Sequence, residues 1–179
     1  MDDWRLRVCL ERTIELPEVD LQLRDWPGAV GPLVHVPDPL SPDDSIVNGL
    51  AEALAPGYRV VSVKPRGASP YQVDAADLLA LLDQFGFATP VVVAERLGCL
   101  AALLISAWHA GRVAGLVLID PIFEPPAGGS IEARAVRDCP PNWAVLRAAV
   151  QCPVLELLQT ASVVERVAQF LAQLGPGLT

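Results

Sequence analysis

The stretch Val91-Val92-Val93-Ala94-Glu95-Arg96-Leu97-Gly98-Cys99-Leu100 holds the residues best placed for chemistry. An apolar run passes through two charged residues and a Leu-Gly pair into a second apolar run. That is the pattern of a buried strand, a tight turn and a helix. Arg96 stands at the point of the turn. A guanidinium stays protonated, so it is neither a nucleophile nor a base. It can hold an anion, or it can be tied to a carboxylate from Asp38, Glu95 or Asp120. Glu95 is the one candidate for acid–base work at the turn itself, and the sequence offers it no evident catalytic partner.

Other candidates follow the ends of apolar runs. Lys64, the single lysine of the chain, reads as a solvated strand-end residue. Arg66 lies close behind it, and with Arg96 these two cations could hold an anionic ligand. Asp120 has no histidine nearby in sequence and is expected to serve a turn or a cap. His35 falls inside a strand and is expected to be a hydrogen-bonded core residue. Cys99 reads as a packed thiol, unless the helix start lowers its pKa enough for reactivity.

These residues need a scaffold, and the hydropathy pattern supplies one. Leu6–Leu16 and Val19–Leu23 alternate as two strands of an antiparallel hairpin across Pro17-Glu18. Strands are then expected at Leu33–Val36, Tyr58–Val63, Pro90–Val93, Val113–Ile119 and Pro153–Leu158. Helices fall between them. One begins at Ser41-Pro42-Asp43-Asp44, read as cap, first-position proline and acidic first turn, and buries Val47, Leu50, Ala51 and Leu54. The next is capped by Asp74 and carries Leu78, Leu79, Leu82 and Phe85. Leu97–His109 is almost wholly apolar, so it is expected to be buried. Pro141 starts a short helix, and Ser162-Val163-Val164-Glu165 reads as a capping box for the last one, ending at Gly175. Strands alternating with helices imply a parallel sheet with helices on both faces, and ligands in such sheets bind beyond the carboxyl ends of the strands.

Composition narrows the function classes. The 179 residues are 52% apolar and 19% charged, which fits a single domain over residues 1–179 with a sheet buried on both sides. The net charge of −8 argues against a nucleic-acid surface. No apolar run reaches the roughly 18 residues of a membrane span, and Met1-Asp2-Asp3-Trp4 does not begin a secretion signal, so a cytoplasmic protein is expected. Cys9, Cys99, Cys139 and Cys152 are widely spaced and read as free thiols rather than metal ligands; Cys139 and Cys152 would pair only in an oxidising compartment.

The segment from Leu50 to Pro121 resembles the core of the α/β-hydrolase superfamily, in its Arg66-Gly67, its turn Ala94-Glu95-Arg96-Leu97-Gly98 and its Gly115-Leu116-Val117-Leu118-Ile119-Asp120-Pro121. The likeness runs from about Glu15 to Leu174. It implies an α/β three-layer sandwich, a mostly parallel sheet behind an N-terminal antiparallel hairpin. The family's Gly-x-Ser-x-Gly elbow holds a nucleophilic serine on a strained turn. Here Ala94 replaces the first glycine and Arg96 the serine. The histidine-glycine pair that helps form the oxyanion hole aligns with Pro37-Asp38, where a carboxylate would repel an oxyanion. Thr160-Ala161-Ser162 stands where the acid is expected, and no histidine follows His109. The resemblance therefore implies a fold without its triad, lacking the last strand and most of the cap, which would have to fit into Ile122–Pro140.

The expected function is a non-catalytic binding or interaction protein. The alternative is an enzyme acting on a small substrate, anionic or neutral, through non-standard residues around Arg96. Candidate ligand residues are Asp38, Lys64, Arg66, Glu95, Arg96, Leu97 and Asp120, with no cofactor and no metal. A homodimer is expected through the 153–158 edge strand or the 162–174 helix, because an open apolar edge invites pairing.

Overall fold

The computed structural model describes residues 8–16, 19–40, 43–55, 57–64, 71–123, 143–158 and 162–175. Strands β1 (Leu10–Glu15) and β2 (Asp20–Trp26) form the expected antiparallel hairpin, which Leu16 and Val19 close by exchanging backbone hydrogen bonds. Strand β3 (Val30–Val36) begins three residues before the apolar run that announced it. Pro32 lies inside it, and the pairing with the next strand shifts register between Val30 and Leu33. A proline has no N–H for the ladder, so the irregularity falls where the sequence demands it.

Helix α1 (Ser45–Leu54), β4 (Tyr58–Val63), α2 (Tyr71–Phe85), β5 (Val91–Glu95), α3 (Gly98–Trp108) and β6 (Gly115–Ile119) follow in alternation. Helix α4 (Trp143–Ala149), β7 (Val154–Leu157) and α5 (Val163–Leu174) complete the described chain. The strands make one sheet in the order β1-β2-β4-β3-β5-β6-β7. From β3 to β7 every pairing is parallel, and β2 joins β4 antiparallel. Among the described residues β7 is the last strand on its side. The segments expected to hold a cap and the missing acid, from Glu124 to Asn142 and at Thr160-Ala161, lie outside the described residues.

Both faces of the sheet are covered. Leu78, Leu81 and Leu82 of α2 and the whole run Cys99–Ile105 of α3 pack on one face, with Trp143 and Leu146 of α4 beside them. Val47, Leu50 and Ala51 of α1 and Val167, Phe170 and Leu171 of α5 pack on the other. This is why β5 and β6 read as continuous apolar runs rather than alternating ones.

Three helix starts differ from expectation. Helix α1 begins at Ser45 with no acidic residue in its first turn; Asp43 instead accepts the Ser45 N–H at 2.8 Å and the Ser45 hydroxyl at 2.9 Å, and these bonds hold its carboxyl below the usual range. Ser41 and Pro42 lie outside the described residues. Asp74 sits within the first turn of α2, not before it. Ser162 precedes α5 but makes no capping bond, because its backbone (φ −131°, ψ 36°) is not in the extended form that aims a cap at the first turn.

Candidate functional site

The turn from β5 into α3 keeps the geometry of a nucleophile elbow. Arg96 has φ 47°, in the left-handed region that a side chain enters only at a cost of roughly 1 kcal/mol or more. Its N–H donates to Ile119 O at 2.8 Å, tying the turn to the end of β6. Gly98 opens α3 against the end of β3. A Cβ there would lie 2.6 Å from Pro37 O and 2.8 Å from Val36 O, so the second glycine of the pattern is required by backbone contact. Leu97 is buried beneath the turn. Asp120, at the corresponding corner after β6, has φ 46° and donates its N–H to Leu157 O at 2.8 Å, in line with the turn role expected of it.

Arg96 does not stand alone above the sheet. Its Nε donates to Asp38 Oδ2 at 2.8 Å, and Asp38 is only 2% exposed. The other oxygen of Asp38 accepts the Leu40 N–H at 3.1 Å, a local turn that fixes the carboxylate. Asp38 and Arg96 thus occupy together the two places where the resemblance would put an oxyanion donor and a nucleophile.

Glu95 turns away from this pair. The residue before Arg96 points to the α1 face, where His35 Nε2 and Glu95 Oε1 are 2.5 Å apart. The same ring meets Ser62 Oγ through Nδ1 at 2.9 Å. His35, Ser62 and Glu95 are 1%, 5% and 8% exposed, on β3, β4 and β5. The reading of His35 as a bonded core histidine holds, and Glu95, to which the sequence offered no evident catalytic partner, is bonded to it. Ser62 was missed by sequence reasoning. The signal was a lone hydroxyl in the apolar run Val60-Val61-Ser62-Val63, but pairing it with His35 requires knowing that β3 and β4 are neighbours.

Cys99 is fully buried, its Sγ 3.2 Å from Ala94 O. Burial pushes its thiol far up, helped by the negative charges of Glu95 and Asp38. The packed-thiol reading holds, and the helix start does not activate it. His109 ends α3 at the exposed far side. Lys64 is exposed at the end of β4, its N–H on Gln22 O. Arg66 lies outside the described residues. Among the described residues no cluster of His, Cys, Asp and Glu could hold a metal ion.

Two spaces meet at Lys64. A narrow cavity of about 40 Å³ lies between Val36, Pro37, Leu78, Gly98 and Ala101. An open groove of about 810 Å³ runs along Arg12, Gln22, Arg24, Asp44, Ser62 and Lys64. Pro37 and Pro39 form part of the wall of each. Arg96 lines neither.

The strand order, the antiparallel pairing of β2 onto β4 beside an otherwise parallel run from β4 to β7, and a left-handed residue at the β5–α3 corner define the α/β-hydrolase fold. No family model matches the sequence, and no curated protein matches it. Solved structures do. A provisionally named epoxide hydrolase from Pseudomonas aeruginosa matches over 96% of this chain and 98% of its own, with a TM-score of 0.70 and 16% identity. A membrane phospholipase A, described as a bacterial virulence factor, matches over 94% and 87%, with a TM-score of 0.69 and 13% identity. A thioesterase domain of the curacin biosynthetic pathway matches over 69% of this chain and 48% of its own, with a TM-score of 0.57 and 16% identity. Such likenesses establish the fold, and fold does not decide function.

Proposed function

We propose that this protein has kept the elbow and given up its chemistry, and that it acts by binding a small polar molecule or a partner. The observation behind this reading is the pair Arg96–Asp38. A fixed cation stands where a nucleophile would be, and a buried carboxylate stands where an oxyanion would need donors. A long side chain tied down at the corner would stand in the way of a substrate approaching the elbow. Free Cys9, Cys99 and Cys152 accord with a reducing cytoplasm, and no described helix is long and apolar enough to cross a membrane.

The test is at position 96. The wild-type protein and Arg96→Ser are exposed to a fluorophosphonate and to p-nitrophenyl esters, with peptide mapping of any adduct. No adduct at position 96 is expected in the variant, because among the described residues no histidine stands at the turn and the nearby Asp38 carboxylate is too weak a base to take the hydroxyl proton. Labelling at that introduced hydroxyl, above a heat-denatured control, would show a working elbow and end the reading.

A further inference from the structure

We propose that Ser62 is a covalent acyl acceptor, its hydroxyl activated by His35 and Glu95 and reached from the groove beside β1 and β2. This goes beyond the binding reading, since it adds bond formation at a place away from the elbow.

The strand order brings the three groups together. β3 lies between β4 and β5, and His35 pairs in register with Ser62 on one side and with Val93 on the other. Glu95, two residues past Val93, leaves the sheet on the same face. The contacts then run Ser62 Oγ to His35 Nδ1 at 2.9 Å and His35 Nε2 to Glu95 Oε1 at 2.5 Å. A carboxylate only accepts hydrogen bonds, so a neutral imidazole must place its hydrogen on Nε2. Nδ1 is then a lone pair, and the Ser62 hydroxyl must donate to it. Nucleophile, base and acid stand in working order.

Burial alone would be satisfied by any bonded trio, but two features point further. Ser62 is only 5% exposed, but the residue forms part of the wall of the 810 Å³ groove. Arg24 stands directly opposite Ser62 in the β2–β4 register, so its side chain leaves the sheet on the same face. Its guanidinium, held by Asn48 at 3.0 Å and Asp44 at 2.8 Å and lying over the Trp26 ring, belongs to the wall of the same groove.

In the step itself, Ser62 Oγ bonds to the acyl carbon and its proton passes to His35 Nδ1. The acyl–oxygen bond of the donor breaks, and the leaving group departs with that electron pair, taking the proton from the imidazolium or leaving it to solvent. Glu95 remains a carboxylate and steadies the Nε2–H. β4 is paired on both sides, so its amides serve the ladders and not an oxyanion. Loss of one oxyanion donor slows acyl transfer by about 10²–10³-fold. The fitting donor is therefore a small activated ester, and one acyl group per chain is the expected end point.

The experiment uses the full chain with p-nitrophenyl acetate and with a fluorophosphonate, read by intact mass and peptide mapping. One adduct per chain at Ser62 is expected, absent in Ser62→Ala. His35→Gln should slow its formation at least about 100-fold. Glu95→Gln keeps the shape but can donate to Nε2 and so reverse the tautomer; a similar loss is expected. Ser62→Cys gives a second readout, with the introduced thiol alkylated by iodoacetamide at least about ten-fold faster than Cys152, as expected of a thiol beside a base. An unlabelled Ser62, or one labelled at the same rate in Glu95→Gln, overturns the proposal. Because the adduct is located by mapping, a failure here and a failure of the elbow reading are seen at different residues.

Discussion

Arg96 Nε and Asp38 Oδ2 lie 2.8 Å apart, and the arginine making this bond sits at φ 47°. One residue therefore carries both a stabilising ion pair and a local backbone cost. The two can be separated. Arg96→Gly removes the pair but relaxes the backbone, whereas Arg96→Ala removes the pair and keeps the strain. Wild type is expected to be the most stable by chemical denaturation, then glycine, then alanine. The glycine–alanine gap should be about 1 kcal/mol, in the reverse of the usual helix and strand order. With 40% of the Arg96 side chain exposed, the pair itself should add only about 1–2 kcal/mol.

Gly98→Ala should destabilise by about 2 kcal/mol or more. At an ordinary helix start alanine would help, but here its methyl would press on the carbonyls of Pro37 and Val36, which belong to backbone and cannot swing aside. A thermal midpoint equal to or above wild type would contradict the close approach of β3 and α3.

Asp25 is 1% exposed and accepts Arg59 Nε at 2.9 Å and Nη2 at 2.7 Å, with Arg12 Nε also at 2.9 Å. Arg59 in turn lies over Phe85 and Phe87, joining β4 to the end of α2. Arg59→Ala should cost about 3 kcal/mol, because it leaves a buried carboxylate with a half-exposed partner. Arg12→Ala should cost under about 1 kcal/mol. Equal losses in urea titrations would refute this division of labour.

The buried thiols give a dependence on pH. Desolvation raises the pKa of Cys99 strongly and that of half-buried Cys152 as well. At pH 8 Cys99 should stay unmodified by a disulfide reagent until the protein unfolds, and Cys152 should react more slowly than a free thiol. Above a pH of about 8.5 the unfolded chain releases protons that the folded one retains, so stability falls as pH rises. Cys99→Ala should flatten that decline, which alkaline denaturation curves will reveal.

Among the described residues no strand pairs beyond β7, and we propose this edge as a dimer surface. Leu158 next to it is 72% exposed, and Glu156 within it is paired with Arg147 of α4 at 2.8 Å. Sedimentation across the micromolar range should show a dimer, weakened by Leu158→Lys. A monomer throughout would reject it.

Periodicity made most of this architecture legible. Tyr58–Val63 and the apolar α3 are where the residue pattern put them, and β5 runs two residues past the expected Pro90–Val93, because strands buried on both faces have little choice. The replacement of the elbow serine was equally legible, since Arg96 stands at the turn and cannot act as serine does. What the pattern could not give was partnership across strands. Asp25 follows Leu21 and Leu23 on the inward face of β2, which marks a buried acid, but its arginines come from β1 and β4. Ser62, His35 and Glu95 are 27 and 60 residues apart at their two bonds, and only the strand order brings them within reach.

The place of β3 between β4 and β5 also bears on how the chain folds. His35 receives one partner from each neighbouring strand, so its ring is fully bonded only after both parallel pairings have closed. Parallel pairings of this sequence separation form slowly, since loop-closure entropy is lost before the contacts reward it. The ring protons of His35 should therefore take on their native chemical environment among the last in refolding, after the local β1–β2 hairpin has formed. A single imidazole in the middle of the sheet would then time the completion of the central β-structure.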